Sequence, residues 1–344
     1  MGLSEHCAEG ADSGGSRCCI IVCGLHRSGT SAITRLVNLL GADVARDLSP
    51  AGPDNVRGYW ESNAVLAIHG GLLQRVAASQ SHSFDPTPLA GDWLATEAAR
   101  QARRRLARVV QREFAGSRCF VVKDPRIWRV LPLWLELLPD LDIAPIAVIP
   151  FRNPLEIAAS LAQRDRTPLS KALLLYFCAY LEAERASRTI PRVFVRYDRL
   201  LEDWRPFARR LAQIAGAALS APSPGAVIEI ERFLTADLYH HRSSREQMTL
   251  QPEISAAMIE MFDQMDKAAE TGDETMLRGS FDRLRADAES TARLYDGYLL
   301  SELQYLRQEL MQIRESFETS ASWRVTAPLR WLKSRMPPKE KPRP

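Results

Sequence analysis

Between two short apolar segments the chain reads Gly24-Leu25-His26-Arg27-Ser28-Gly29-Thr30-Ser31. Glycines let backbone N–H groups come close to anionic oxygens. A helix opening after the loop adds the partial positive charge of its N-terminus. Gly24 and Gly29 have the spacing of a nucleotide-phosphate loop, and Ser31 holds its hydroxyl position. The lysine that such loops send to the β- and γ-phosphates is replaced by Thr30. The positive charge lies inside the loop instead, on Arg27, whose planar guanidinium can grip two oxygens of a phosphate or sulfate. The missing lysine argues against an ordinary ATPase or kinase. A turn with chance glycines is the plain alternative, and the strand before it and the helix after it weigh against that.

The elements that must position this loop follow from the apolar pattern. Cys18 to Cys23 is a continuous apolar run and reads as a buried strand, and a helix runs on to Leu40, with Gly41 placed to end it. Further strands are expected at Arg118–Val122, Ala144–Phe151 and Arg192–Val195. Helical periodicity is expected at Ala64–Val76, Glu97–Phe114, Leu155–Gln163 and Ala172–Arg188. Strands alternating with helices predict an α/β fold, a parallel sheet flanked by helices. In such sheets chemistry sits at the carboxyl ends of the strands. Here those ends carry Arg27, Lys123, Arg152 and Tyr197.

Bulk properties exclude little but bound the answer. The 344 residues suit one large α/β domain with an appendage. A formal charge of +3 gives no global signal for nucleic acid, and no nucleic-acid partner is expected. The six cysteines form no pair of C-x-x-C motifs, so a zinc site is not expected; buried thiols in a reducing compartment are. No secretory leader and no bilayer-spanning run is read, and His6 stands where a myristoylation signal has Ser or Thr. The expected location is cytoplasmic, with peripheral contact at the inner face of a membrane left open. Six arginines on Glu97–Phe114 read as a solvated helix face.

Arg27-Ser28-Gly29-Thr30-Ser31 resembles the 5′-phosphosulfate loop of the sulfotransferases that use 3′-phosphoadenosine 5′-phosphosulfate (PAPS). Arg152-Asn153-Pro154-Leu155-Glu156-Ile157-Ala158-Ala159-Ser160 resembles that family's 3′-phosphate site, where a strand-end arginine and a serine eight positions on hold the phosphate. The likeness spans Cys18 to Arg242 and is nearer to the glycan and tyrosylprotein branches than to the cytosolic steroid branch. It implies a P-loop, sulfotransferase-like fold and PAPS as donor, with no metal. It implies cofactor-binding roles for Arg27, Ser28, Gly29, Thr30, Ser31, Arg152, Ser160, Arg164 and Tyr197. Ser160 and Arg164 are four apart and share a helix face. Lys123, in Lys123-Asp124-Pro125, matches the family's catalytic lysine; a structural salt bridge is the alternative. The steroid branch's histidine position is Pro125 here, so the base implied is the glutamate of the other branches. Glu61 fits it, with His69 and Asp124 as further candidates. Tyr197 matches a tyrosine beside the nucleotide; His240-His241-Arg242-Ser243-Ser244-Arg245 stands where a basic segment closes over the 3′-phosphate in relatives but lacks its Arg-Lys-Gly pattern, and a solvated basic turn is the alternative.

The acceptor implied is a hydroxyl of a glycan or glycolipid. Tyr59 and Trp60, beside Arg57, either stack on a sugar or pack the loop. Leu299, Leu303, Leu306, Leu310, Ile313 and Phe317 alternate steps of four and three, a short coiled-coil seam that would permit self-association. Ser322 to Arg330 resembles a tail that follows coiled coils in bacterial surface-polysaccharide proteins. With Trp331 and the basic run after it, this tail either meets an anionic membrane or packs on the enzyme. The expected organisation is a tail at 1–17, a sulfotransferase-like domain at 18–250, a helical and coiled-coil extension at 251–318, and a basic amphipathic tail at 319–344. Two other functions stay open: a different P-loop transferase such as a small-molecule kinase, and a non-catalytic adaptor in polysaccharide biosynthesis.

Overall fold

A computed structural model describes residues 17–77, 86, 89, 91–219, 221–235, 242–320, 323, 325 and 326, with the side chains of 293–300, 303 and 304 left aside. Four parallel strands form one sheet: β1 (Arg17–Val22), β2 (Cys119–Lys123), β3 (Ile143–Phe151) and β4 (Arg192–Arg196), in the order β2-β1-β3-β4. β1 lies between β2 and β3, so successive connections leave it in opposite directions. The crevice beyond its carboxyl end is the switch point where such sheets take ligands. Cys19, Ile20, Ile21 and Val22 have no exposed surface, which accounts for the unbroken apolar run.

The helices are set by local signals. α1 (Thr30–Leu39) starts at Gly29 and stops before Gly41. α2 (Asn63–Val76) is capped by the Ser62 hydroxyl, which accepts from Val65 N–H at 3.3 Å. α3 (Glu97–Phe114) is capped by Thr96 and buries Ala99, Ala102, Leu106, Val109 and Val110, leaving most of its arginines in solvent. α4 (Ile127–Leu137) is a buried helix that the sequence reading left unassigned; Pro132 interrupts its pattern. α5 (Pro154–Asp165) begins with Asn153 as cap and Pro154 in the first turn. α6 (Leu169–Ala186) packs on α4 and α5. On the other face, α1, α7 (Tyr197–Glu202), α8 (Arg205–Ala215) and α9 (Pro224–Phe233) contribute Leu36, Leu200, Leu211 and Ile230 to one core with Ile20, Val148 and Val195.

The boundary expected at residue 250 moves. α10 (Arg245–Leu250) is followed by α11 (Ala256–Thr271), which packs on β4, with the Phe262 ring edge-on to Phe151 at 5.8 Å. Met258, Met261 and Met265 bury the same face. The compact unit therefore runs to Asp282, and residues 283–344 form a second unit. The composition does change near Glu253, but α11 packs on the edge strand β4. α12 (Thr275–Thr319) begins in the first unit and carries the expected seam in the second. Most of the 319–344 tail lies outside the described residues.

Two glycines of the loop are fixed by space, and Gly29 by its dihedral angle as well. A Cβ on Gly24 would fall 2.7 Å from the Pro150 ring and 2.8 Å from Ser28 Oγ. Gly29 has φ +91°, and a Cβ there would stand 2.2 Å from the Tyr197 ring. Gly41, at φ +107°, has nothing within 4 Å of its virtual Cβ. Gly41→Ala should cost the conformational penalty alone, about 1–2 kcal/mol. Gly29→Ala should cost clearly more, because the ring must also move. Equal losses in urea unfolding would contradict the Gly29–Tyr197 packing.

Candidate active site

One cavity of about 310 Å³ opens at the carboxyl end of the sheet. Arg27, Gly29, Thr30 and Ser31 line it from the loop, Lys123 from the end of β2, and Arg152 from just past β3. Ser160 and Arg164 line it from one face of α5, Tyr197 from the start of α7, and Glu61 from the segment before α2. These residues are spread over more than 150 positions, and the parallel sheet brings them together. Ser28 is the exception. It has no exposed surface, and its hydroxyl turns back to donate to the Leu25 carbonyl at 2.7 Å. Its side chain shapes the loop.

The cavity is strongly electropositive. Arg27 Nε donates to Ser160 Oγ at 2.8 Å, which ties the loop to α5. Arg152 Nε donates to Glu156 at 2.9 Å, and the Arg152 guanidinium lies 5.3 Å from the centre of the Tyr197 ring. Burial, and then the cations of Arg164 and Lys123, push the His26 imidazole down to about 3, so it is neutral near pH 7. Burial and the Arg164 cation also lower Arg27. Cations held this close, in a cavity that also presents the hydroxyls of Thr30, Ser31 and Ser160, fit a polyanion.

Lys123 and Glu61, the two residues expected to act on the reacting groups, are partners of each other. The buried Lys123 ammonium donates to Glu61 Oε1, to Ser31 Oγ at 3.3 Å and to the Tyr59 carbonyl at 3.3 Å. An ammonium has three N–H donors, so these contacts take all of them. Burial lowers Lys123 below the ordinary lysine range, and Glu61 offsets part of that. An ammonium from the end of β2 thus stands beside the loop, which has no lysine of its own. Ser31 Oγ also accepts from Asn55 Nδ2 at 3.1 Å, which leaves its O–H to donate to a ligand oxygen.

Trp60, next to Glu61, has φ +59°, an uncommon conformation for an aromatic residue. Its indole N–H donates to the Arg57 carbonyl at 3.0 Å, and Arg35 stacks over its ring at 4.7 Å. Trp60 therefore packs the loop and presents no ring to the cavity, whereas Tyr59 does line it.

The other two base candidates are structural. Trp134 Nε1 donates to His69 Nε2 at 2.9 Å, and His69 Nδ1 meets Asp124 Oδ2 at 2.9 Å. An indole N–H can only donate, so Nε2 must be unprotonated and Nδ1 carries the hydrogen. Both nitrogens are occupied in a fully buried ring. Burial alone would raise the Asp124 carboxyl, but the His69 hydrogen bond and the Arg126 guanidinium outweigh it and hold the group far below its usual range. His26 is too weakly basic for general base work near neutral pH.

Sequence reasoning missed two groups that shape the cavity. Glu156 pairs with Arg152 and accepts from Ser243 N–H at 2.8 Å, while Asn153 Nδ2 donates to the carbonyls of Ser243 and Ser244. The segment after His241 is thereby docked at the start of α5; His240 and His241 lie outside the described residues. The spacing of four between Arg152 and Glu156 was the available signal. The second is Asp54. Its Oδ2 lies 3.6 Å from Arg27 and 3.7 Å from Arg164, and Tyr59 O–H donates to Oδ1. Nothing in the spacing of Asp54 points to two arginines that far along the chain. Among the described residues, no group of three or more His, Cys, Asp or Glu is placed to hold a metal ion.

The Sulfotransferase family model matches residues 19–221, more than half of the chain, and the chain belongs to that family. It is similar to the crystal structure of sulfotransferase STF1 from Mycobacterium tuberculosis H37Rv, with 15% identity, 73% of this chain and 76% of that chain covered, and a TM-score of 0.35. No curated protein matches it.

Asp54 places a carboxylate among the cations of the cavity. Burial would raise it, but the Tyr59 hydrogen bond and the Arg164 and Arg27 charges hold it lower than usual. Asp54→Asn should bind inorganic sulfate and phosphate several-fold more tightly at low ionic strength, with the gain shrinking as salt rises. Unchanged or weaker anion binding in calorimetry would contradict this.

Proposed function

We propose that this member of the sulfotransferase family moves a sulfuryl group from PAPS to a hydroxyl of a carbohydrate or glycolipid acceptor. The carrying observation is the Lys123–Glu61 pair on the wall of a cavity whose other cations are Arg27, Arg57, Arg152 and Arg164. Arg27 and the loop residues Gly29, Thr30 and Ser31 would hold the 5′ end of the donor. Arg152, Ser160 and Arg164 would hold its 3′-phosphate, with Tyr197 beside the nucleotide. The donor supplies an activated sulfuryl group whose bridging S–O bond breaks as the acceptor oxygen bonds to sulfur.

The chain's own residues then have defined tasks. Glu61 takes the proton of the acceptor hydroxyl. Neutralising Glu61 frees the Lys123 charge to stabilise the oxygen on which negative charge builds. The loop amides and Arg27 orient the anion without a metal. Tyr59 and the segment from Pro53 to Arg57 also line the cavity and would meet the acceptor. A glycolipid acceptor fits the tail reading, in which residues 319–344 hold the enzyme at an anionic membrane. No helix among the described residues is long and apolar enough to cross one.

Glu61→Gln keeps the size of the side chain and removes its basicity. It should keep PAP affinity within a few-fold in calorimetry and lose turnover by at least about 100-fold. Near-normal turnover would contradict the base assignment. Deleting residues 318–344 should abolish binding to vesicles containing anionic lipid, and unchanged binding would remove the membrane role of the tail.

A further inference from the structure

We propose that a second copy of this chain packs along the C-terminal half of α12, parallel and in register. This does not rest on the sulfotransfer reading. Every described side chain from Tyr305 to Thr319 is exposed. Leu306, Leu310, Ile313 and Phe317 are between 45% and 66% exposed and fall at the alternating steps of one seam. A helix in a protein draws most of its stability from an apolar face packed against something. Nothing among the described residues of this chain covers that face. The seam ends in a built feature: the Phe317 ring meets the Trp323 ring at 5.0 Å, edge-on.

The charges beside the seam say what covers it. With Leu310 and Phe317 at heptad position a, and Leu306 and Ile313 at d, the flanking g positions are Glu302 and Glu309. The flanking e positions are Arg307 and Arg314. All four are exposed. In a parallel coiled coil, a g residue faces the e′ residue five positions later on the other chain. Glu302 then faces Arg307, and Glu309 faces Arg314, on both sides of the seam. In an antiparallel pair g faces g′ and e faces e′, which sets Glu against Glu and Arg against Arg. Arg314 does pair with Glu318 on its own helix at 2.9 Å, but that contact is solvent-exposed and easily exchanged. A second copy in parallel buries the apolar row and satisfies both charge rows at once.

The test uses the full chain in sedimentation equilibrium, with circular dichroism to check folding. The wild type should sediment at the mass of two or more chains. Reversing the g positions alone, Glu302→Arg with Glu309→Arg, should raise the dissociation concentration roughly tenfold or more. Adding Arg307→Glu and Arg314→Glu to that variant should restore association, because the pairs are again opposite in sign. Leu306→Cys and Ile313→Cys, made separately, should each cross-link to the same residue of a second chain above the wild-type background. A monomeric wild type would overturn the proposal. So would association insensitive to the g reversal, failure of the fourfold variant to recover, or cross-linking at only one of the two positions.

Discussion

The buried ammonium at the end of β2 is the contact on which the site depends. Lys123 has three donors and gives them to three acceptors: Glu61, Ser31 and the Tyr59 carbonyl. One side chain thereby fixes the phosphate loop, the irregular segment before α2 and the proposed base relative to the sheet. Breaking a buried ion pair by removing one partner leaves an uncompensated charge and typically costs about 3–5 kcal/mol. In the proposed reaction the same contact serves position and chemistry. The uncommon backbone of Trp60 lies between the two residues that Lys123 holds, and its ring is anchored by Arg35 and the Arg57 carbonyl.

The sheet explains why so many cations can be gathered there. Parallel strands point their carboxyl ends the same way, and the order β2-β1-β3-β4 puts the ends of β1, β2 and β3 side by side. Gly24 allows the loop to pass tightly over Pro150, and Gly29 allows it to pass over Tyr197. Acidic groups organise the cations: Glu156 orients Arg152, Glu61 holds Lys123, and Asp54 stands by Arg27 and Arg164. The balance remains positive: Arg27, Arg57, Lys123, Arg152 and Arg164 line the cavity against the carboxylates of Asp54 and Glu61.

Much of this was legible in the sequence, and the reason is local. The strand–loop–helix unit around Arg27 is set by neighbouring residues, so its glycines and its apolar run suffice to identify it. Strand ends at Lys123 and Arg152 were marked by Asp-Pro and Asn-Pro stops. Ser160 and Arg164 share a face, as four-residue spacing requires. What stayed hidden depends on pairs that only the fold creates. His69 became a structural residue because Trp134 and Asp124 reach it, from 65 and 55 positions away. Asp54 and the docking of Ser243 onto Glu156 are of the same kind. α4 was lost because Pro132 breaks its pattern, and the sheet-covering role of α11 because its composition resembles that of the extension after it.

The proposed donor is a nucleotide with phosphate at both ends, and Arg152 would hold the 3′ group. Calorimetry of the full chain with PAP and with AMP, which lacks that phosphate, tests it most directly. PAP should bind at least about tenfold tighter than AMP, the scale of one charge-assisted phosphate contact. Arg152→Ala should remove most of the difference while leaving AMP affinity little changed. Equal affinity of the wild type for the two nucleotides would contradict it.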